Sequence, residues 1–379
     1  MMRLADRFPH VNDLRARARR RVPHFAWEYL DSGTGAEVAL DRNRAALDQI
    51  LFTQKVLAGK IAPDIAVELF GQRFDVPFGV APVGSSGMIW PGAEAALARL
   101  AADKGLPYTL STVATREPEE IGPLAEGKGW FQLYTPGRDE VRKDLLSRAR
   151  DAGFSALVVT VDVPLSSRRE RQRRAGLTVP PSLGLKSLWQ MGISPAWLLG
   201  TARVGVPRFR TLERYIPTKN LADVTRRMAK DLHSQPDWSL VETVRKDWQG
   251  PLIFKGIMEP QDAVQAKNAG VDAVWVSNHG ARQTDGAIAA IDALAGVRAA
   301  VGEGYPLLFD SGVRSGLDIA RALALGADMV MLGRAFHYGL GALGPRGAAH
   351  VFEILREDLH NTMGQIGANS AQELKANIA

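Results

Sequence analysis

The chain contains no cysteine. Disulfides, thiolate zinc sites, iron–sulfur clusters and cysteine nucleophiles are therefore excluded, and with them a nucleotide dehydrogenase that works through a covalent thiol adduct. Long apolar runs are also missing: none approaches the roughly 20 residues of a spanning helix. The opening segment, Met1 to Val22, is polar and basic, with Arg15, Arg17, Arg19, Arg20 and Arg21. It lacks the apolar core of a secretion signal, which fits a cytoplasmic protein. Zinc-finger spacings and the aromatic–basic pattern of an RNA-binding sheet are absent, so no nucleic-acid partner is expected. No metal-ligand cluster, internal repeat or low-complexity tract is read.

The 379 residues are 46% hydrophobic and 23% charged, enough for one large domain or two smaller ones. The net charge of +6 calls for an anionic partner, whether a membrane face or a small ligand. From residue 78 short apolar runs alternate with Ala-rich amphipathic stretches. The predicted strands are Phe78–Ala81, Tyr108–Ser111, Trp130–Tyr134, Ala156–Asp162, Pro251–Gly256, Ala273–Ser277, Pro306–Asp310 and Met329–Gly333. Predicted helices cover 93–104, 138–152, 260–269, 286–300 and 315–325, several closed by a glycine (Gly105, Gly153, Gly270, Gly326).

Eight strands alternating with helices predict an α/β fold, a (β/α)8 TIM barrel. A doubly wound sheet is the alternative, weakened because no Gly-x-Gly-x-x-Gly follows the first strand. Residues 1–77 read as an N-terminal helical segment, 78–162 and 251–365 as the barrel, and 163–250 as a long insertion after strand 4. The insertion holds the basic run Arg168–Arg174, a Pro-Pro pair at 180–181, and Trp189, Trp197 and Trp238. It is too long for an ordinary loop and reads as a lid or an interaction surface. Its Trp-rich stretch 185–199 has two readings, a cap or subunit contact and a peripheral membrane patch on the inner face of the cell membrane.

Polar residues end one predicted strand after another. Ser277-Asn278-His279-Gly280-Ala281-Arg282-Gln283 ends the sixth, and it sets a proton acceptor, His279, three residues from a carboxylate-binding cation, Arg282. Asp310-Ser311-Gly312-Val313-Arg314-Ser315-Gly316 follows the seventh, and Gly333-Arg334 ends the eighth. Glycines that expose N–H groups near helix starts, with two arginines, describe a phosphate site. Ser111, Gln132, Thr160 and Lys255 suit a planar hydrogen-bonding cofactor, with Lys255 supplying positive charge to a ring that becomes anionic on reduction.

These motifs, with Thr160-Val161-Asp162, Phe131-Gln132-Leu133-Tyr134 and Tyr29-Leu30-Asp31-Ser32-Gly33, resemble the FMN-dependent α-hydroxy-acid dehydrogenase and oxidase family, which includes L-lactate dehydrogenase, glycolate oxidase and mandelate dehydrogenase. The resemblance runs from about Tyr29 to about residue 360. It implies a single FMN-binding barrel domain that oxidises an L-2-hydroxy acid, lactate-like, to a 2-keto acid, with electrons leaving to a quinone, a redox protein or O2. By matching motif, His279 would be the base and Asp162 its partner, with Lys255 stabilising the reduced ring. Arg282 and Arg169 would hold the carboxylate, and Tyr29 and Tyr134 the substrate. Ala81, Pro82, Val83, Ser111, Gln132, Thr160, Lys255 and Ser277 would contact the flavin ring and ribityl chain, and Asp310, Gly312, Arg314, Gly333 and Arg334 the ribityl chain and phosphate. The family also implies a homo-oligomer, a tetramer. The chain departs from the pattern at Ala281, where Gly is usual, and at Thr284, often Leu. Gly84 stands where some oxidases carry Ala, which is more like the dehydrogenases. Two alternatives stay open: an FMN barrel acting on another substrate, such as a modified peptide or an isoprenoid diphosphate, and a flavin-binding protein without hydroxy-acid turnover.

Overall fold

The computed structural model describes residues 3–177, 184–216 and 237–379. The Pro-Pro pair at 180–181 lies outside them. Among the described residues there are ten strands. β1 (Val67–Leu69) and β2 (Gln72–Phe74) form an antiparallel hairpin. β3 (Phe78–Val80), β4 (Tyr108–Ser111), β5 (Gly129–Leu133), β6 (Ala156–Thr160), β7 (Leu252–Ile257), β8 (Ala273–Val276), β9 (Leu307–Phe309) and β10 (Met329–Leu332) close into a parallel barrel, β10 pairing with β3. All eight predicted strands are thus barrel strands, and the fold is the (β/α)8 barrel.

The two-residue period of each strand sorts its side chains into two cores. Trp130, Ala156, Val158, Ile253, Ala273, Trp275, Leu308, Met329 and Met331 cluster together inside the barrel. Their chain neighbours, including Phe131, Leu157, Val159, Phe254, Val274, Phe309 and Val330, pack outward under the helices. Both faces are buried, so the strands read as continuous apolar runs rather than alternating ones. The hairpin plugs one end: Phe74 is fully buried and meets Trp130 edge-on at 6.1 Å.

The outer helices include Ala93–Lys104, Asp139–Asp151, Pro260–Asn268, Ala290–Val301, Gly316–Ala324 and Arg334–Leu343, followed by the long Pro345–Ile366. The first of them stops where Gly105 takes φ +63°, a left-handed cap that needs no Cβ. The predicted helix at 286–300 begins only at Ala290, because 286–289 continue the turn that leaves β8. At the start of the chain, helices run to Asp48, the last being Val38–Asp48. Residues 49–77 are not helical; they lead into and include the hairpin, a feature the sequence pattern does not signal.

In the insertion, Glu170–Arg174, Leu185–Gly192, Pro195–Val204, Arg210–Glu213 and Leu240–Asp247 are helical. It is anchored on the barrel mouth. Trp197 is buried, donates Nε1–H to Met88 O at 2.9 Å and meets Phe25 edge-on at 5.9 Å. Arg171 of the basic run binds three carboxylates of the N-terminal segment, Glu28 (2.5 Å), Glu37 (3.0 Å) and Asp31 (3.2 Å). Part of that run is therefore an internal fastening and not a free cationic surface.

Candidate active site

Along each strand the inward positions change character toward the C-terminal end. Inside β8, Ala273 and Trp275 give way to Ser277, and beyond it comes His279. In β7, Ile253 gives way to Lys255, and in β9 Leu308 is followed by Asp310. The result is a cleft of about 990 Å³, counting its open mouth, lined by Arg169, Lys255, Arg282, Arg314 and Arg334 against one carboxylate, Asp310. Five cations facing one acid make an anion-binding cleft.

The floor is a fixed polar network. Lys255, 4% exposed, lies 5.1 Å above the Trp275 ring. Its ammonium donates to Ser277 Oγ at 2.7 Å and pairs with Asp310 Oδ2 at 2.9 Å. Ser277 Oγ donates to Asp310 Oδ1 at 2.5 Å and accepts from His279 N at 3.0 Å. Gln132 bridges β4 and β6: its Oε1 accepts from Ser111 Oγ at 3.0 Å, and its Nε2 donates to Thr160 Oγ1 at 3.0 Å.

His279 Nδ1 is 2.9 Å from Asp162 Oδ1, which leaves Nε2 for the cleft. Gly256 makes room for this pair: a Cβ there would lie 2.4 Å from Asp162 Cβ, and the β7–β8 register shifts at the same residue. Burial lowers the His279 pKa, with Lys255 and Arg169 adding to the effect while Asp162 opposes it. Burial alone would raise the Asp162 pKa, but the His279 charge and hydrogen bond bring it below the usual carboxylate range. Both directions favour a neutral imidazole beside a carboxylate at neutral pH.

His279, Gly280 and Ala281 have φ of 57°, 62° and 61°. Three successive left-handed residues, two of them not glycine, cost about 1–2 kcal/mol per non-glycine residue and persist only where the surroundings impose them. The turn carries Arg282 back over the Tyr29 ring at 5.2 Å, with its guanidinium bonded to the Tyr29 and Ser32 carbonyls at 2.8 and 3.2 Å. Burial and the adjacent Arg169 charge lower the Arg282 pKa to about 9. Among the described residues neither of these two cations is bonded to a carboxylate, which favours an anion between them. Arg169 is held by Ser167 and Gln283, whereas Arg168 points away and is 78% exposed. Tyr29 donates its hydroxyl to Gly84 O at 2.8 Å. Tyr134 lines the same end of the cleft, its pKa raised by burial and by Asp162.

At the opposite end, Ser311 and Gly312 have φ of 90° and 95°, and the helix Arg334–Leu343 begins directly after Gly333. Arg314 stands over Tyr338 at 5.3 Å. Arg334 is committed to the carbonyls of Leu30, Ser32 and Gly280 at 2.9–3.0 Å, so it shapes the wall as much as it faces the cleft. A Cβ on Gly333 would come within 3.2 Å of Val83, and one on Gly280 within 2.9 Å of the Arg334 guanidinium. These glycines let backbone close in around the cleft.

Of the residues singled out from the sequence, Tyr29, Ala81, Pro82, Val83, Tyr134, Thr160, Arg169, Lys255, His279, Arg282, Asp310, Gly312, Arg314, Gly333 and Arg334 line the cleft. Ser111, Gln132, Asp162 and Ser277 stand one layer behind it. Sequence reasoning passed over Ser311, whose Oγ accepts from Gly280 N at 3.1 Å and donates to Asp310 Oδ1 at 2.8 Å. Its place between Asp310 and Gly312 was the available signal.

A barrel whose mouth joins a phosphate-type turn, a polar ring-sized floor and a His–Asp pair defines the class, and residues 18–379 match the family model of FMN-dependent dehydrogenases. The chain belongs to that family and is an FMN-dependent oxidoreductase. It is 38% identical to the L-lactate dehydrogenase of Ectopseudomonas mendocina (strain ymp), over 97% of both chains. Among solved structures it is similar to (S)-mandelate dehydrogenase, described as a monotopic membrane protein, with 33% identity, a TM-score of 0.92 and 98% of each chain covered. A mandelate oxidase structure gives 33% identity and a TM-score of 0.83, again over 98% of each chain.

The residues present fit FMN. The cleft offers a cationic, glycine-lined end for a phosphate and a donor–acceptor floor with a buried lysine for the ring.

Proposed function

We propose that the protein oxidises a small L-2-hydroxy acid to the 2-keto acid, with His279 as base. The observation that carries this reading is one cleft holding a His–Asp pair and two arginines, Arg282 and Arg169, without carboxylate partners in their bonds. Arg282 and Arg169 bind the substrate carboxylate through charge-assisted hydrogen bonds. Tyr29 and Tyr134 orient the hydroxyl-bearing carbon beside them. His279 Nε2 takes a proton from the substrate, and Asp162 stabilises the imidazolium through Nδ1. FMN, when bound, supplies the two-electron acceptor. Lys255 would hold positive charge against the ring, already fixed in place by Ser277 and Asp310. Ala81, Pro82, Val83, Thr160 and Lys255 would hold the ring, with Gln132, Ser111 and Ser277 behind them. Asp310, Gly312, Arg314, Gly333 and Arg334 would hold the ribityl chain and phosphate. Leu30 and Val113 also line the cleft, and the likeness to L-lactate dehydrogenases supports a short, lactate-like side chain.

The anaerobic visible spectrum of the holoenzyme, titrated with glycolate, L-lactate, L-mandelate and longer L-2-hydroxy acids, tests this. Bleaching by a short acid is expected; a flavin that none of them bleaches would sink the reading. Gly84, where some oxidases carry Ala, is the dehydrogenase-like residue, and a Cβ there would lie 2.5 Å from Val113 Cγ2. Slow reoxidation in air is expected, as in a dehydrogenase that passes electrons to a quinone or redox protein; fast reoxidation would make O2 the acceptor.

The electron acceptor bears on the outer face of the insertion. Leu185, Leu188, Trp189, Ile193, Leu198 and Leu199 are exposed there, Leu185 to 87%. Among the described residues no helix is long and apolar enough to cross a membrane. A face of this kind lies in a membrane interface, and the likeness to a monotopic membrane protein supports peripheral attachment. The competing reading is a contact between subunits of a tetramer. Co-sedimentation with anionic vesicles, lost in Trp189→Ser, supports the membrane reading; unchanged co-sedimentation with an altered oligomer in light scattering would replace it.

A further inference from the structure

The site described above leaves the helix Val38–Asp48 without a part, yet two adjacent residues of it reach the two turns on which the site depends. Asn43 is 1% exposed, and its amide pairs reciprocally with that of Asn278. Asn43 Nδ2 donates to Asn278 Oδ1 at 3.0 Å, and Asn278 Nδ2 donates to Asn43 Oδ1 at 2.7 Å. Asn43 Oδ1 also accepts from Ala290 N at 3.1 Å. The same Asn278 Oδ1 accepts from Ala281 N at 3.1 Å, and Asn278 O receives a second bond from that N–H. Asn278 thus closes the left-handed turn of His279, Gly280 and Ala281, and Asn43 fixes the orientation of the Asn278 amide. A buried amide couple bonded reciprocally in this way, with both oxygens also accepting from backbone N–H groups, favours one arrangement.

Arg44 points the other way. Its Nη1 donates to Gly312 O at 2.7 Å and to Asp318 Oδ2 at 2.6 Å. That carboxylate oxygen, fully buried, also accepts from Arg314 N at 2.8 Å. Arg44 therefore pins both ends of the turn Gly312–Arg314, directly and through Asp318.

We propose that the helix Val38–Asp48 is a two-point positioning element, in which Asn43 aims His279 through Asn278 and Arg44 shapes the phosphate-binding turn Gly312–Arg314. The inference rests on the reading of His279 as base and of that turn as a phosphate site. Neither residue touches the reacting atoms. Because the two contacts leave the helix at neighbouring positions, the two functions are separable by single substitutions, which a helix serving stability alone does not allow.

The test compares Asn43→Ala and Arg44→Met in the full chain by two readouts: the FMN dissociation constant, from the fluorescence of released flavin, and the anaerobic bleaching rate of the flavin-saturated enzyme. Asn43→Ala should slow bleaching by about 10²-fold, the effect of an ~1 Å misplacement, with FMN affinity held within about 2-fold. Arg44→Met should weaken FMN by about 10-fold, as expected for lost charge-assisted bonds, with the saturated rate within about 2-fold. Adding Ala281→Gly to Asn43→Ala should recover part of the rate, because glycine takes the left-handed turn without strain. If Asn43→Ala does not fold, Asn43→Asp, which retains the acceptor for Ala290 N and Asn278 Nδ2, is judged by the same criteria. The proposal is overturned if both variants move both readouts in the same proportion, or if neither moves. A wild-type flavin that no hydroxy acid bleaches would instead overturn the base reading, while the Arg44 affinity measurement would still decide the phosphate half.

Discussion

The two ends of the barrel are built from the same eight strands and hold opposite chemistry. At the end where the strands begin, the inward positions are Trp130, Ala156, Ile253, Ala273 and Met329, sealed by Phe74 of the β1–β2 hairpin. At the other end they are Gln132, Thr160, Lys255, Ser277 and Asp310, none more than 8% exposed. The first set excludes water by packing. The second is equally buried but held by hydrogen bonds, with Lys255, Ser277 and Asp310 forming a closed triangle. Burial therefore does not mark the functional end; the kind of partner does. Polar groups kept dry and already paired are poised to act on a ligand without reorganising. A packed apolar end supplies the rigidity that keeps them in place.

The comparison is sharpest where a substitution at one end should alter chemistry alone and one at the other stability alone. His279→Asn, a residue that tolerates left-handed backbone, should cut the anaerobic bleaching rate by about 10²–10⁴-fold while the unfolding midpoint stays put. Trp130→Ala at the closed end should cost about 3–5 kcal/mol in denaturant unfolding and leave the bleaching rate of the folded enzyme unchanged. If Trp130→Ala slowed bleaching as severely as it destabilised, the two ends would not be independent.

The same contrast recurs within one segment. Arg169 and Arg171 are two residues apart, the first facing the cleft and the second bound to three carboxylates. Arg169→Met should raise KM by about 10-fold or more with little change in stability. Arg171→Met should leave KM alone and lower stability by about 1–3 kcal/mol, because Asp31 and Glu28 lose a partner in a largely buried setting. Steady-state kinetics beside thermal unfolding separates them.

The smallest expected effect is on pH dependence. The proposed base is active when neutral, and burial lowers its pKa below the ordinary 6.5, so kcat/KM should be level at neutral pH and fall only as pH drops below about 6.5. Asp162→Asn removes a charge that raises this pKa. Its acid limb should therefore move to still lower pH even as the rate declines; a limb moving upward would contradict the pairing.

Much of this was legible in one dimension. Parallel strands buried on both faces must be apolar throughout, so β4 to β10 stand out as runs such as Ala273-Val274-Trp275-Val276, and the polar residue after each run marks the barrel mouth. The cleft residues follow, because a strand-end side chain in a closed barrel has only one place to point. The hairpin and the late start of the predicted helix, at Ala290 and not at 286, were not legible: residues 286–289 carry no mark that separates turn from helix, and the hairpin is defined by what it covers. Asn43 looked like any polar residue on an amphipathic helix, since its partner is more than two hundred positions away.

The sequence by itself thus determined the element order, the polarity of each strand end and the inventory of imidazole, cations and glycines, because these depend on local pattern and residue chemistry. Tertiary structure alone decided that Arg169 faces the cleft while Arg171 fastens the insertion, that Arg334 spends its donors on carbonyls, and that Asn43 and Arg44 divide between two turns. Those assignments depend on which groups are buried opposite one another, and a buried polar group is defined by the partner that replaces its water.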